Sequence, residues 1–126
     1  MAKQIIGSIG WIDLTVDHAT AVRDFYEAVA GWKPDSLSMG EYSDYVMNDA
    51  EGNAVSGVCH KRGQNAGVPS QWLMYIVVAN LLQSMTACRA RGGLIVQEAK
   101  AMGVYGTFCI IQDPAGAVCA LVQPPD

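Results

Sequence analysis

Several features that would place the chain in a broad class are missing from its sequence. Its four cysteines form no Cys-x-x-Cys pair, and three of them lie inside apolar strand or helix patterns, which favours buried free thiols in a reducing compartment. No stretch approaches the ~20 apolar residues of a membrane span, and the N-terminus lacks the apolar run of a signal peptide. We therefore expect a cytoplasmic protein with no membrane partner.

Basic residues are also scarce. The chain has 8 Lys and Arg against 12 Asp and Glu, a net charge of −4, and basic pairs such as Lys61-Arg62 are scattered. This balance argues against a nucleic-acid partner. A phosphate-binding glycine loop is absent too, because Gly7-Ser-Ile-Gly10 precedes a predicted strand, whereas such loops follow a strand and open a helix.

The sequence does contain an internal repeat. Val16/Val78 and Gly31/Gly93 are each separated by 62 residues, whereas Gly52 and Gly116, which end two similar turns, are separated by 64. With 126 residues, 51% of them hydrophobic, the chain has the size of one domain. We expect a single domain over 1–126 that is built from two similar units.

Hydrophobic periodicity assigns the same order of elements to both halves. Alternation over 9–16 predicts a strand, Asp17 is a candidate N-cap, and an apolar helical stripe ends at Gly31. Asn80 is the corresponding cap of the second helix. Each half is predicted as a βαβββ unit, the first over about 8–60 and the second over about 71–123, with a linker at 61–70. The predicted helical stripes consist of Val22, Phe25, Tyr26 and Val29, and of Leu82, Met85 and Cys88.

Together with this repeat, Phe25-Tyr26, Gly31-Trp32 and Asp113-Pro-Ala-Gly116, followed by Val118 and Leu121, resemble the vicinal oxygen chelate superfamily. That superfamily contains glyoxalases, bleomycin-resistance proteins and extradiol dioxygenases. The resemblance implies an α+β fold in which two tandem βαβββ units form a cleft between curved mixed β-sheets. It also implies a homodimer. Trp11-Ile-Asp-Leu and the ending Gly116 to Pro124 are similar to a small glyoxalase-related subgroup whose activities are largely not established.

Metal-dependent members of the superfamily place a His, Gln or Glu ligand on the first and last strand of each unit. The matching positions here are Trp11, Leu73, Ser56 and Ala120, none of which is a usual donor. We therefore expect no metal and no cofactor. A register error of one residue would move every side chain to the other sheet face, and metal-dependent glyoxalase or dioxygenase chemistry stays open to that extent.

The same register predicts which side chains line the cleft. Asp13 is the candidate general base or cation anchor, His60 a candidate proton shuttle, and Tyr105 part of a glycine-flanked flap. Trp11 and Tyr75 are candidates for stacking on a ligand. The full predicted lining contains Trp11, Asp13, Thr15, Ser56, Val58, His60, Tyr75, Val118, Ala120 and Val122.

Three functions remain open besides this metal-dependent chemistry. The chain is predicted to bind a small organic molecule without a metal, as a bleomycin-resistance protein does. It could instead be a lyase or isomerase that uses Asp13, with or without His60, as acid and base. A third possibility is an interaction protein whose cleft is filled by Trp11 and Tyr75.

Overall fold

The computed structural model describes residues 4–126, apart from the side chain of Gln64. The fold is α+β. Its strands are β1 (Ile9–Val16), β2 (Lys33–Ser38), β3 (Ser43–Asn48), β4 (Ala54–His60), β5 (Trp72–Val77), β6 (Leu94–Ala101), β7 (Thr107–Gln112) and β8 (Val118–Gln123), and its helices are α1 (Ala19–Ala30) and α2 (Leu81–Ala90). Single 3₁₀ turns occupy Gly63–Asn65 and Gly103–Tyr105. Within residues 4–126, neither helix has the length and apolar character that crossing a bilayer requires.

Internal contacts divide the chain into two compact units. The N-terminal unit is Ile12–Trp72, and the C-terminal unit joins the segment up to Trp11 to Leu73–Asp126. Strand β1 therefore contributes to both units. In the C-terminal unit, Gly7 donates its N–H to the Val77 carbonyl and Val77 donates to Ser8.

In the N-terminal unit the strand order is β2-β3-β4-β1. β1 and β4 are parallel, whereas β4 pairs antiparallel with β3 and β3 with β2. One face of this sheet packs against α1, and the core there is formed by Ala19, Tyr45, Met47 and Val58. The four residues are at most 7% exposed, so this face is the main apolar core of the unit.

The C-terminal unit repeats this pattern of pairing. β5 is parallel to β8, β8 is antiparallel to β7, and β7 to β6. Helix α2 packs on one face around Leu81, Met85, Cys109 and Leu121. Each half of the chain therefore has the predicted βαβββ order with the same strand pairing.

The helix ends follow the sequence signals in part. Gly31 ends α1 with a φ of 74°, and Asn80 caps α2 by accepting a hydrogen bond from the Gln83 N–H at 3.0 Å, as predicted. The predicted cap at Asp17 is wrong. The N-cap of α1 is His18 in the left-handed conformation, with no side-chain capping bond.

The predicted apolar stripes are only partly the buried faces. In α1, Val22 and Tyr26 contact the core, but Phe25 is 55% and Val29 67% exposed. In α2 the buried leucine is Leu81 and not the predicted Leu82, which is 69% exposed. Tyr26 faces inward and packs in an aromatic cluster. Its ring centroid lies 5.6 Å from that of Trp32 and 5.3 Å from that of Trp72. That packing fixes which side of α1 faces the sheet.

A bulge in β4 of the N-terminal unit has no counterpart in β8 of the C-terminal unit. In the hairpin of β3 and β4, Asn48 lies opposite Ala54 but Met47 lies opposite Ser56, so that Val55 is an extra residue in β4. The corresponding hairpin of β7 and β8 keeps one register from Gln112/Val118 onward. Since side chains alternate between faces, the bulge moves every β4 side chain after Val55 to the face opposite the predicted one.

Candidate functional site

The bulge places a set of polar side chains together in the N-terminal unit, on the sheet face opposite α1. Asp13 pairs with Gly57, and Thr15 pairs with Cys59. Asp44 on β3 lies on this face too, because the adjacent side chain of Tyr45 lies on the α1 side. We call Asp13, Thr15, Asp44 and Cys59 the polar face. Asp13 is 9%, Thr15 6% and Asp44 6% exposed.

Electrostatic contacts link the members of the polar face. The Cys59 thiol donates a hydrogen bond to the Asp44 carboxylate, and Asp44 Oδ1 also accepts the His60 backbone N–H at 2.8 Å. Burial raises the pKa of the Cys59 thiol well above its ordinary value, and the negative charges of Asp13 and Asp44 raise it further. Cys59 is therefore a protonated donor and not a thiolate nucleophile.

Two predicted site residues lie elsewhere. Ser56 pairs with Met47 and His60 with Val16, so both are on the α1 side of the sheet and not beside Asp13. The His60 ring lies 5.5 Å from the Tyr42 ring and 6.0 Å from the Tyr45 ring, between centroids. The predicted common face for Asp13, Ser56, Val58 and His60 was wrong because the sequence count did not include the extra residue Val55.

Other predicted ligand-binding residues belong to the C-terminal unit. Tyr75 is 6% exposed, pairs with Ala120, and has its ring 6.0 Å from that of Phe108. Trp11 is half-buried in β1, and Tyr105 lies in a 3₁₀ turn and is 55% exposed. Contact of these three residues with a ligand stays a prediction.

The Ser56 hydroxyl has a property that can be tested directly. Ser56 is 2% exposed, and its Oγ has no hydrogen-bond partner among the described residues. A buried hydroxyl without a partner costs free energy, so Ser56→Ala is expected to leave the free energy of unfolding unchanged or to raise it by about 1 kcal/mol. Urea denaturation followed by tryptophan fluorescence measures this change.

The matched control for Ser56→Ala is Tyr45→Phe. The Tyr45 hydroxyl lies 2.7 Å from Thr20 Oγ1, and losing this hydrogen bond is expected to lower the free energy of unfolding by about 1 kcal/mol. Equal losses in the two variants would contradict the assignment of Ser56 as an unsatisfied core hydroxyl.

The positions that hold metal ligands in the superfamily do not fit a metal here. With the observed register, the last-strand position of the N-terminal unit is Gly57, because it lies opposite Asp13 as Ala120 lies opposite Tyr75. Together with Trp11 and Leu73, none of these side chains supplies an imidazole, carboxylate or amide oxygen. Among the described residues, no group of three or more His, Cys, Asp or Glu side chains is arranged to hold a metal ion.

Two further thiols, those of Cys109 and Cys119, are unsuited to nucleophilic chemistry. All four cysteines are free, and Cys109 is completely buried. Burial raises the pKa of Cys109 to about 11, and burial together with the Asp113 charge raises the pKa of Cys119. These side chains contribute to packing, as the apolar patterns around them predicted.

Sequence reasoning identified Asp13 but missed Asp44 and Cys59. Both lie within the first predicted βαβββ unit, and the carboxylate between Ser43 and Tyr45 was the available signal for Asp44. Their place beside Asp13 depends on the β4 register, which the sequence did not reveal.

Comparison with known proteins agrees with the fold. Residues 8–121 match the family model of the Glyoxalase/Bleomycin resistance protein/Dioxygenase superfamily. "Putative glyoxylase CFP32" of Mycobacterium bovis is 29% identical over 118 residues, which cover 94% of this chain and 44% of that protein. "Anthracycline biosynthesis protein DnrV" of Streptomyces peucetius is 27% identical over 117 residues, 93% of this chain and 42% of that protein. The chain thus spans less than half the length of these relatives.

A solved structure shows the same architecture. Methylmalonyl-CoA epimerase from Mycobacterium tuberculosis superposes with a TM-score of 0.62 at 13% identity, over 100% of this chain and 93% of that one. At this identity the likeness concerns the fold alone. The family match covers most of the chain, and the chain therefore belongs to the Glyoxalase/Bleomycin resistance protein/Dioxygenase superfamily.

Proposed function

We propose that this protein binds a small organic molecule at the polar face of its N-terminal unit, without the metal of its superfamily. The observation that carries the proposal is the burial of Asp13, Thr15 and Asp44 on one sheet face. Burying a carboxylate is costly unless hydrogen bonds, a nearby charge or a bound ligand compensates its lost hydration. Polar side chains gathered on one sheet face supply the few directional groups by which a small-molecule site orients its ligand.

The chemistry of the polar face indicates the kind of guest. Two carboxylates, a hydroxyl and a thiol offer mainly hydrogen-bond acceptors and negative charge. The net charge of −4 adds to the attraction for a cation. A guest with an ammonium group or several hydrogen-bond donors would satisfy these groups best.

The relatives suggest a first compound to test. One of them is named for anthracycline biosynthesis, and anthracyclines such as doxorubicin combine a planar ring system with an ammonium group. The ammonium group of such a compound suits the acidic side chains of the polar face, and contact of Trp11 and Tyr75 with an aromatic ligand is a separate prediction. We further propose that the protein is a homodimer, as the family resemblance implies, and that it acts in the cytoplasm, as its free cysteines suggest.

The second candidate function is a lyase or isomerase in which Asp13 transfers a proton. A carboxylate that contacts a substrate can accept a proton from it as a general base. His60 is not supported as the partner of Asp13, because its ring lies with Tyr42 and Tyr45.

Substitution of Asp13 by asparagine tests both candidates. Asp13→Asn keeps the size of the side chain and removes its charge, so doxorubicin affinity measured by isothermal titration calorimetry is expected to fall about tenfold or more. Asp17→Asn is the matched control, since Asp17 is exposed at the end of β1. That variant should bind as the wild type does.

The outcomes separate the two functions. A loss of affinity without any turnover supports a binding protein in which Asp13 anchors the guest. Conversion of a bound compound by the wild type, detected by mass spectrometry and lost in Asp13→Asn at unchanged affinity, supports the acid–base enzyme. If panels of cationic and neutral organic compounds bind equally well to both variants, the polar face is not the binding site.

A further inference from the structure

We propose a second binding site, for the carboxylate or phosphate group of a small organic anion, at an open cavity of about 400 Å³ in the N-terminal unit. Its described lining consists of Tyr42, Arg62, Gly63 and Asn65, and we call it the Arg62 pocket. It shares no residue with the polar face, so it does not depend on the function proposed above.

The guanidinium of Arg62 is held in a defined orientation. Its Cζ lies 4.0 Å from the centroid of the Tyr42 ring, in a cation–π contact. The Tyr42 ring is itself fixed by the His60 ring, which meets it at an interplanar angle of 84°. Stacking occupies one face of the guanidinium but leaves the N–H groups in its plane available, and these groups match a carboxylate or phosphate in bidentate geometry.

The surroundings leave the charge of Arg62 unmatched. Among the described residues, the Arg62 side chain forms no ion pair, and the two salt bridges that do occur belong to Arg23 and Arg89. The carboxylate of Asp44 accepts hydrogen bonds from the His60 N–H and the Cys59 thiol and forms no ion pair with Arg62 among the described residues. Of the four lining residues only Arg62 carries a formal charge, and the pocket is therefore cationic within an acidic chain.

Two further polar groups line the pocket. The Tyr42 hydroxyl and the Asn65 side-chain amide can each donate a hydrogen bond to an anion. Together with Arg62 they form a set of donors with no acidic side chain among them. A volume of this size admits a carboxylate or phosphate that is attached to a small ring or short chain.

The backbone around Arg62 is tied to the sheet. The Lys61 N–H donates to the Val16 carbonyl at 3.0 Å, and the Asn65 N–H donates to the Arg62 carbonyl at 2.9 Å. The Lys61 ammonium donates to Ser70 Oγ at 2.7 Å across the same segment. These contacts hold the donors in place before a ligand arrives, which reduces the entropy lost on binding.

The test is an NMR titration of the ¹⁵N-labelled protein with sodium benzoate and, separately, with inorganic phosphate at constant ionic strength. We expect saturable shifts of the Arg62 Nε–H and Asn65 side-chain amide signals with at least one of the two anions. Saturation by benzoate alone assigns the site to carboxylates, and saturation by phosphate alone assigns it to phosphates. Both results support the pocket.

Variants distinguish this site from general electrostatic attraction. Arg62→Gln should weaken binding about tenfold or more, whereas Arg91→Gln, which removes an exposed arginine after α2, should leave it unchanged. Tyr42→Leu should weaken binding through loss of the stacked orientation, and Tyr42→Phe should retain most of it. The proposal is overturned if neither anion saturates at high millimolar concentration, or if Arg62→Gln titrates like the wild type in a spectrum that shows it folded.

Discussion

Replacing Gly106 with alanine is expected to lower the free energy of unfolding by about 3 kcal/mol or more. Gly106 has a φ of +104°, which a residue with a Cβ rarely adopts. An added Cβ would also overlap the Gln123 carbonyl oxygen and lie 3.0 Å from Pro124 Cα. These are backbone atoms, and Gln123 pairs with Thr107 in the sheet, so they cannot move aside without disturbing β7 and β8. The midpoint of urea denaturation measures the effect.

Gly103→Ala is the matched control for this prediction. Gly103 lies in the same turn with a φ of +62°, but an added Cβ there would have no atom within 4 Å. Gly103→Ala should lower the free energy of unfolding by about 1 kcal/mol, through the strained backbone conformation alone. If the two variants lose equal stability, the close approach of Gly106 to Gln123 is not what constrains the turn.

Met47→Ala is the second substitution with a large expected effect, a loss of about 2–5 kcal/mol. Met47 is fully buried in the N-terminal unit with Ala19, Tyr45 and Val58. Truncation would leave a cavity between α1 and the sheet, because strand neighbours on both sides fix the backbone there. Trp32 and Trp72 pack on the same cluster, so tryptophan fluorescence during denaturation reports on the affected core.

Met39→Ala serves as the control for the core substitution. Met39 is 49% exposed after the end of β2, and its truncation should change the free energy of unfolding by no more than about 0.5 kcal/mol. A comparable loss in both variants would indicate that methionine burial does not determine the stability of this unit.

Much of the architecture could be predicted from local signals. The strand Ile9–Val16 was predicted from alternation, the end of α1 from Gly31 and the start of α2 from Asn80, and each of these is confirmed. These signals succeed because they act over a few residues: a strand period, a left-handed glycine and a side-chain cap.

Features that depend on contacts distant in sequence were predicted less well. Both Leu81 and Leu82 fit the α2 pattern, and only packing against Leu121 shows that Leu81 is inside. Strand β6 extends through Ala101 because β7 pairs with it there, and no local signal sets that length. Tertiary pairing decided both cases, as often happens where propensity is weak.

The candidate site illustrates the same limit. Asp13 could be identified because a carboxylate inside an apolar strand is conspicuous. The residues that share its sheet face could not be predicted, because they depend on the alignment of β4 with β1. The bulged residue Val55 is neither glycine nor proline, so the sequence of β4 does not mark the bulge. Arg62 was interpreted as one of several scattered basic residues, since its stacking on Tyr42 joins positions 20 residues apart.

The extra residue Val55 has a consequence for how the two halves of such a chain diverge. Point substitutions would have to change each β4 side chain separately to give the N-terminal half a new surface. One insertion exchanges the whole row at once, so that Gly57 and Cys59 face the side that Ser56 and Val58 would otherwise occupy. Copies of a duplicated module can therefore become chemically different through a change in residue count, and an alignment of the halves that ignores this gap assigns the wrong residues to the site.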